Sequence, residues 1–268
     1  MTSGGVEFAL LLLHHAHGFM YKLLFFVTFC NFHTLAVNEL LNRCLDAKYH
    51  KTKPGVEDEL HEMCSPWKDH ACCTKNTSHL IPNGQMYHLN FDHCAHIKNM
   101  SDNCKRHFTQ DLCFYECEPN LGPWMLKVNM KHRKERAFEV PLCAADCDEW
   151  FSACRNDYTC AANWVRNLTT KNGRMHCPPT SECKTFKEIY KNSSNFCEQV
   201  WDHSWKYTPN EQPCMRIWFD GVAGNPNRKV AEFKIREQAW RAAAGSLSQT
   251  LVAMVLTIVV TITIEKIY

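Results

Sequence analysis

The sequence predicts an α+β fold, mainly α-helical with short β-strands, held as one disulfide-rich globular domain. Of its 268 residues 17 are cysteine, and all but Cys30 lie between Cys44 and Cys214. Several segments repeat cysteines and aromatics at helical spacing. No internal repeat, low-complexity tract or Pro/Gly-rich linker divides the stretch from Val37 to about Phe233.

Helical period is read first. Asn38 to His50 and Gly55 to Cys64 read as helices, the second starting after Pro54 with early acids Glu57 and Asp58. From Cys104 to Cys117 one stripe carries Cys104, Phe108, Asp111 and Tyr115. From Pro141 to Cys154 the stripe is Cys143, Cys147, Trp150 and Cys154, and from Asn195 to Lys206 it is Cys197, Trp201, Ser204 and Trp205. Extended pieces are expected around Tyr87 to Phe91, Ala137 to Val140 and Met215 to Phe219.

The cysteines favour disulfides over metal. Zinc modules pair their ligands as C-x-x-C, whereas the close pairs here are adjacent (Cys72, Cys73) or three residues apart (Cys113 and Cys117, Cys143 and Cys147). No C-x-x-C and no H-E-x-x-H occurs, so no metal site is expected. Such a cysteine density persists only in an oxidising compartment.

Both ends agree with secretion. Lys22 precedes the apolar run Leu23 to Cys30, and Thr34-Leu35-Ala36 offers small residues before Val37, so residues 1–36 read as a signal peptide, with Met20 as a possible start. Its removal discards Cys30 and leaves an even set of cysteines. Residues 234–268 read as a C-terminal stalk followed by a GPI-anchor signal or a short membrane segment. Ala243, Ala244, Gly245 and Ser246 are candidate attachment sites, and Leu251 to Ile264 is an apolar run shorter than the roughly 20 residues of a spanning helix. N-x-S/T sequons at Asn76, Asn99, Asn167 and Asn192 predict a glycoprotein. The net charge of +2, with no basic tract, gives nucleic-acid binding no electrostatic support.

Asp111 is the odd residue of the apolar stripes. A carboxylate sharing a face with Phe108 and Tyr115 needs a partner, which is either a structural ion pair or a ligand. Ser204, one turn from Trp201, reads either as a hydroxyl bonded to a backbone carbonyl or as a ligand donor. The run Arg133-Lys134-Glu135-Arg136 reads by itself as a solvated charge cluster, and Tyr87, Tyr115 and Trp201 as core aromatics. No nucleophile with its base is recognisable, so no catalytic residue is assigned.

Five stretches then resemble a known family: ELLNRCLDAKYHKTKPGVEDELHEMCSPWKDHACCTKNTS from Glu39, CKRHFTQDLCFYECEPNLGPW from Cys104, VPLCAADCDEW from Val140, WDHSWK from Trp201, and GNPN from Gly224. They resemble the folate-receptor family over about Glu39 to Phe233. The resemblance implies a cell-surface ectodomain that binds folate or another pterin for uptake, without catalysis and without a cofactor. It also implies the pairs Cys44–Cys72, Cys64–Cys113, Cys73–Cys117, Cys94–Cys183, Cys104–Cys154, Cys143–Cys214, Cys147–Cys197 and Cys160–Cys177. In that family the pterin enters a deep pocket first. Asp111 would then accept from its amino-pyrimidine edge, Arg133, Arg136 and Ser204 would donate to its carbonyl edge, Tyr115 and Trp201 would sandwich it, and Tyr87 would pack against the aminobenzoate.

Departures cluster at the pocket mouth. His132 stands where the family has a tryptophan, and Phe91 replaces another. The family's W-H-K-G-W-x-W reads Trp164, Val165, Arg166, Asn167, Leu168, Thr169 and Thr170, losing a histidine, a glycine and two tryptophans. Trp164, His132 and Arg166 therefore remain as candidate ligand residues, the last offering charge to a carboxylate tail. Weaker or altered recognition of the glutamate tail is expected. The rival expectation is adhesion: one branch of the family, on egg surfaces, recognises a protein partner and has abandoned folate.

Overall fold

A computed structural model describes residues 40–245 except Asn83, Gln85 and Gly173. The signal peptide with Cys30, the apolar tail and Ser246 lie outside the described residues. The described residues from Leu41 to Gly245 belong to one unit.

The frame is a helix stapled at both ends. Strand β1 (His50–Gly55) pairs antiparallel with β2 (Ala71–Cys73), with a 3₁₀ turn at Glu62–Trp67 between them and helix α1 (Lys75–Leu80) after. The central helix α2 (Asp102–Cys117) starts where the Ser101 hydroxyl accepts from the Cys104 amide at 3.3 Å, a side-chain N-cap. Its stripe is inward as the spacing predicts, with Cys104, Phe108, Asp111 and Tyr115 all buried. Cys104 bonds Cys154, Cys113 bonds Cys64, and Cys117 bonds Cys73, so α2 is tied covalently at three points along its length.

Strands β3 (Met125–Lys127) and β4 (Glu135–Ala137) form a hairpin, and β5 (Val140–Cys143) leads into α3 (Ala144–Cys154). The short β6 (Tyr158–Thr159) is followed by α4 (Trp164–Asn167) and the hairpin β7 (Thr169–Lys171) and β8 (Arg174–His176). Cys160–Cys177 closes this stretch into one loop with a sequence separation of 17. Strand β9 (Lys184–Thr185) pairs with β6, helices α5 (Phe186–Tyr190) and α6 (Ser193–Gln199) follow, and β10 (Trp205–Thr208) pairs in parallel with β5. Residues 227–245 form a final helix, α7, docked through the buried Asn227, Ala231 and Ile235.

All eight disulfides join the pairs that the family resemblance implied. Three of the expected helices and two of the expected extended pieces differ. The described residues of Asn38 to His50 are largely irregular, and Gly55 to Cys64 holds the end of a strand and the start of a 3₁₀ turn. Cys44–Cys72 and the pairing of β1 with β2 hold the first segment against β2, where a strand pairs and a helix does not, and Cys64–Cys113 ties the second to α2. Asn195 to Lys206 is helical only to Gln199, because Asp202 and His203 both adopt positive φ, 55° and 60°. Of the extended pieces, Tyr87 lies in a 3₁₀ turn (Met86–His88) and Met215 makes only an isolated bridge to Leu142. Helix α7 also crosses Phe233, so the first part of the expected stalk is helical.

The core is aromatic. Phe108 of α2 stacks on Trp164 at 4.7 Å and 7° and meets Trp150 edge-on at 5.0 Å, and Phe91 packs against both Phe108 (5.3 Å) and Trp164 (6.5 Å). Such pairs add about 0.5–1.5 kcal/mol beyond area burial. They fix the walls described next.

Candidate ligand-binding site

One cavity of about 390 Å³ opens beside α2, in the range of small-molecule sites. Asp111, Leu112 and Tyr115 of α2 line it, as do Trp201 and Ser204 from the turn before β10 and Trp205 at the start of β10. Trp164 and Val165 of α4 and Thr170 and Met175 of the β7–β8 hairpin form another wall. Tyr87, Leu89 and the loop Met130 to Arg133 complete it.

Asp111 is the only carboxylate among these lining residues, and it is 1% exposed. One oxygen, Oδ2, accepts from the Trp201 indole Nε1 at 2.7 Å, while Oδ1 has no partner among the described residues. Burial pushes its pKa well above the usual carboxylate range, and the Trp201 and Trp205 indoles act the other way. The internal ion pair that would have made Asp111 purely structural is absent among the described residues. The neighbouring Trp205 Nε1 is likewise buried without a partner. Trp205 Nε1 faces the carboxylate closely enough to favour its charged form without reaching full hydrogen-bond geometry, so the buried Oδ1 suits a ligand edge that carries donors.

The aromatic walls are held from behind. Trp201 meets Trp164 edge-on at 5.5 Å and Phe108 at 6.0 Å, and Tyr115 meets Trp205 at 6.1 Å. The Tyr115 hydroxyl accepts from Arg133 Nη1 at 3.1 Å. Arg133 is half-buried, and the exposed Lys131 and His132 lie beside it, so the lining carries cations on the side of this loop.

Tyr87 is positioned at a cost. Its φ of 50° lies in the left-handed region, which disfavours side chains by about 1–2 kcal/mol. Its hydroxyl donates to Glu116 Oε1 at 2.8 Å, and Glu116 Oε2 lies 3.2 Å from His50 Nδ1. Both Glu116 and the His50 side chain are fully buried. Burial raises the Glu116 pKa, against the opposing pull of His50, Tyr87 and Arg133. Nothing in the sequence marked Glu116 or His50, because an acid flanked by Tyr115 and Cys117 carries no spacing signal.

Arg136 and Arg166 do not line the cavity. Arg136 is 8% exposed and donates to Asp202 Oδ2 at 2.6 Å, to the carbonyls of Trp201 (3.2 Å) and Asp202, and to Ser204 Oγ at 3.4 Å. Arg166 and Asn163 also bind the Asp202 carboxylate. Burial pushes the Asp202 pKa up, but the hydrogen bonds from Arg166, Arg136 and Asn163 outweigh it and hold the carboxyl well below the usual range. This cluster grips the turn with successive positive φ at Asp202 and His203, and so sets Trp201 and Ser204. The Ser204 hydroxyl donates to the Trp201 carbonyl at 2.9 Å, the bland bond its sequence position suggested, while still facing the cavity.

An Arg136→Ala change should therefore lower stability and ligand affinity together. Leaving Asp202 short of one charged partner costs about 2–4 kcal/mol, readable as a lowered melting temperature. An unchanged melting curve with lost affinity would instead put Arg136 in direct contact with the ligand.

The four sequon asparagines, Asn76, Asn99, Asn167 and Asn192, are all exposed. Asn167 ends α4, between the cavity residues Val165 and Thr170.

Comparison with known proteins places the sequence among relatives over most of its length. Residues 43–216 match the model of the folate receptor family. The human protein named folate receptor gamma is 46% identical over 203 residues, covering 74% of this chain and 82% of the relative. Folate receptor alpha of Bos taurus is 45% identical, over 74% of this chain and 83% of its own. A more distant relative, the riboflavin-binding protein of Gallus gallus, is 28% identical over 65% of this chain and 71% of its own. With the family model matching about two thirds of the chain and every disulfide-bonded cysteine from Cys44 to Cys214, the chain belongs to the folate receptor family.

Proposed function

We propose that the protein is a cell-surface folate receptor that holds the pterin ring in the cavity beside α2 and takes its ligand up without chemical change. The observation that carries this is the buried Asp111 carboxylate, which has one oxygen unspent between aromatic walls. A flat heterocycle with an amino-pyrimidine edge supplies the missing donors in a fork-like geometry. Tyr115 and Trp201 stack on its faces, and Arg133 meets its remaining edge, with the Ser204 oxygen beside it as an acceptor because its proton is held by the Trp201 carbonyl. Tyr87 packs on the aminobenzoate. Lys131 and His132 stand nearest the carboxylate tail.

Arg136 and Arg166 act through the turn they hold. Catalysis is not part of the proposal: the Ser204 hydroxyl is spent on a carbonyl, and all sixteen cysteines from Cys44 to Cys214 are in disulfides. The domain from Val37 to about Phe233 would stand on the extracellular face of the plasma membrane, glycosylated and held by the C-terminal anchor.

Val165 and Thr170 occupy places where the resemblance leads one to expect a histidine and a tryptophan, so the tail gains little. Folic acid and a bare pterin should bind within about tenfold of one another, because roughly 1 kcal/mol is lost with each missing aromatic contact. Isothermal titration with both, and with riboflavin as a third heterocycle, checks this. Failure of both pterins to bind would reject the assignment, and preference for riboflavin would move the chain toward its other relatives.

A further inference from the structure

Helix α7 presents a face that the ligand site does not use. Its docking stripe, Asn227, Ala231 and Ile235, points inward. The opposite stripe at i, i+4, i+7 and i+11 is Lys229, Phe233, Arg236 and Trp240, alternating cation and aromatic within a narrow arc. Phe233 is 47% exposed and Trp240 78%, a large apolar display for a helix docked on a folded domain.

The charges on this helix are asymmetric. Its acids are occupied: Glu232 by Arg228, and Glu237 by Lys234 and Arg241. Lys229 and Arg236 have no carboxylate partner among the described residues, and both line a groove of about 630 Å³ beside Phe233. Six positions after Gly245 the sequence enters the apolar run that starts at Leu251. Held in a bilayer, that run leaves the end of α7 no more than about 20 Å away at about 3.4 Å per residue, and a lipid anchor attached at Ala243 to Ser246 in its place would tie the helix end itself to the membrane.

We infer that this face of α7 lies on the outer leaflet of the membrane, with Phe233 and Trp240 at headgroup depth and Lys229 and Arg236 on anionic headgroups. Amphipathic rings favour the interfacial belt, and cations beside them gain from negative headgroups. The helix then lies along the surface and does not stand upright from it, which fixes how the ectodomain is presented. The inference rests on the proposed C-terminal anchorage.

The mature protein, reconstituted in phosphatidylcholine vesicles with or without an anionic sialylated glycolipid, tests it. Flotation with neutral vesicles reports the anchorage alone. The Trp240 signal, taken as the difference between wild type and Trp240→Phe, reports the face. It should be quenched by brominated acyl chains and shielded from aqueous iodide, more strongly when the glycolipid is present. Neutralising both cations (Lys229→Gln with Arg236→Gln) should lower the surface-bound to lifted ratio about 25-fold in glycolipid vesicles, at roughly fivefold per cation. Flotation with Trp240 still open to iodide overturns the inference and leaves the anchorage standing. Absence of flotation overturns both.

Discussion

Asp111→Ala should weaken folate binding by two to four orders of magnitude without unfolding the domain. Two charge-assisted hydrogen bonds at about 1.5–3 kcal/mol each amount to about 3–6 kcal/mol, or ~10²–10⁴ in affinity. Asp111→Asn should produce a comparable binding loss and raise the melting temperature of the ligand-free protein. The sign follows from the raised carboxyl pKa, whose largest cause is burial. The native state binds the Asp111 proton more tightly than the unfolded chain does, so this group favours folding below its unfolded pKa. That contribution is lost as pH rises through the folded value.

At neutral pH the empty site therefore carries a penalty, which an amide in place of the carboxylate removes. Binding has the opposite dependence, since it needs the ionised form: affinity should fall on acidification, starting above the normal carboxylate range. Titration from pH 7 to pH 4.5 and paired melting curves check both. Flat affinity over that range, or an Asp111→Asn protein melting well below wild type, would remove Asp111 from the centre of the site.

The second large effect is expected far from the ligand. Glu118, just past the end of α2, is fully buried and serves as acceptor to five donors. Its Oε2 takes Trp67 Nε1 at 2.9 Å, Asn225 Nδ2 at 2.8 Å and Asn227 Nδ2 at 2.9 Å. Its Oε1 takes the Asn120 amide at 3.0 Å and Asn120 Nδ2 at 2.5 Å. The G-N-P-N run, the first turn of α7, the 3₁₀ turn of Trp67 and the end of α2 all meet on one carboxylate.

Glu118→Ala strands several buried donors at once, and a loss of about 3–5 kcal/mol is expected. For a domain of this size that is a fall of roughly 10 °C in melting temperature. Glu118→Gln should recover only part of it, because its amide nitrogen points a donor at donors. Thermal denaturation with the disulfides intact measures this, and a shift of less than about 2 °C for the alanine variant would show that the hub contributes little.

Much of the frame was legible in the chain. The stripes through Cys104–Cys117 and Cys143–Cys154 gave the two principal helices and placed Phe108, Asp111 and Trp150 inside, where they are found. Periodicity works there because both helices bury one continuous face against aromatics. It fails around β1, where Cys44–Cys72, Cys64–Cys113 and pairing with β2 override local preference. It fails again after Gln199, where Arg136 and Asp202 hold a turn that no propensity predicts.

The candidate site divides the same way. Asp111, Tyr115, Trp201 and Ser204 stood out as polar or aromatic residues on inward faces. Trp205 was visible on the same stripe but carried no polar signal, and its orphan indole N–H emerges only from the packed structure. The charge run Arg133 to Arg136 reads as solvated in sequence. Once β4 is formed, Glu135 and Arg136 are buried, Lys134 stays exposed, and Arg133 turns to Tyr115. The pairing of cysteines came from family likeness, since eight bridges admit far too many arrangements for spacing to choose among them.

The loop closed by Cys160 and Cys177 has a consequence for how selectivity can change. It contributes Trp164, Val165, Thr170 and Met175 to the cavity and is tied off at its own base, apart from the three bridges that secure α2. Its Trp164, Asn163 and Arg166 are tied to the core and to Asp202, whereas Thr170 and Met175 on the β7–β8 hairpin can be exchanged without disturbing Asp111, Tyr115 or Trp201. Grafting such a segment between relatives is a route to retuning which tails a receptor accepts.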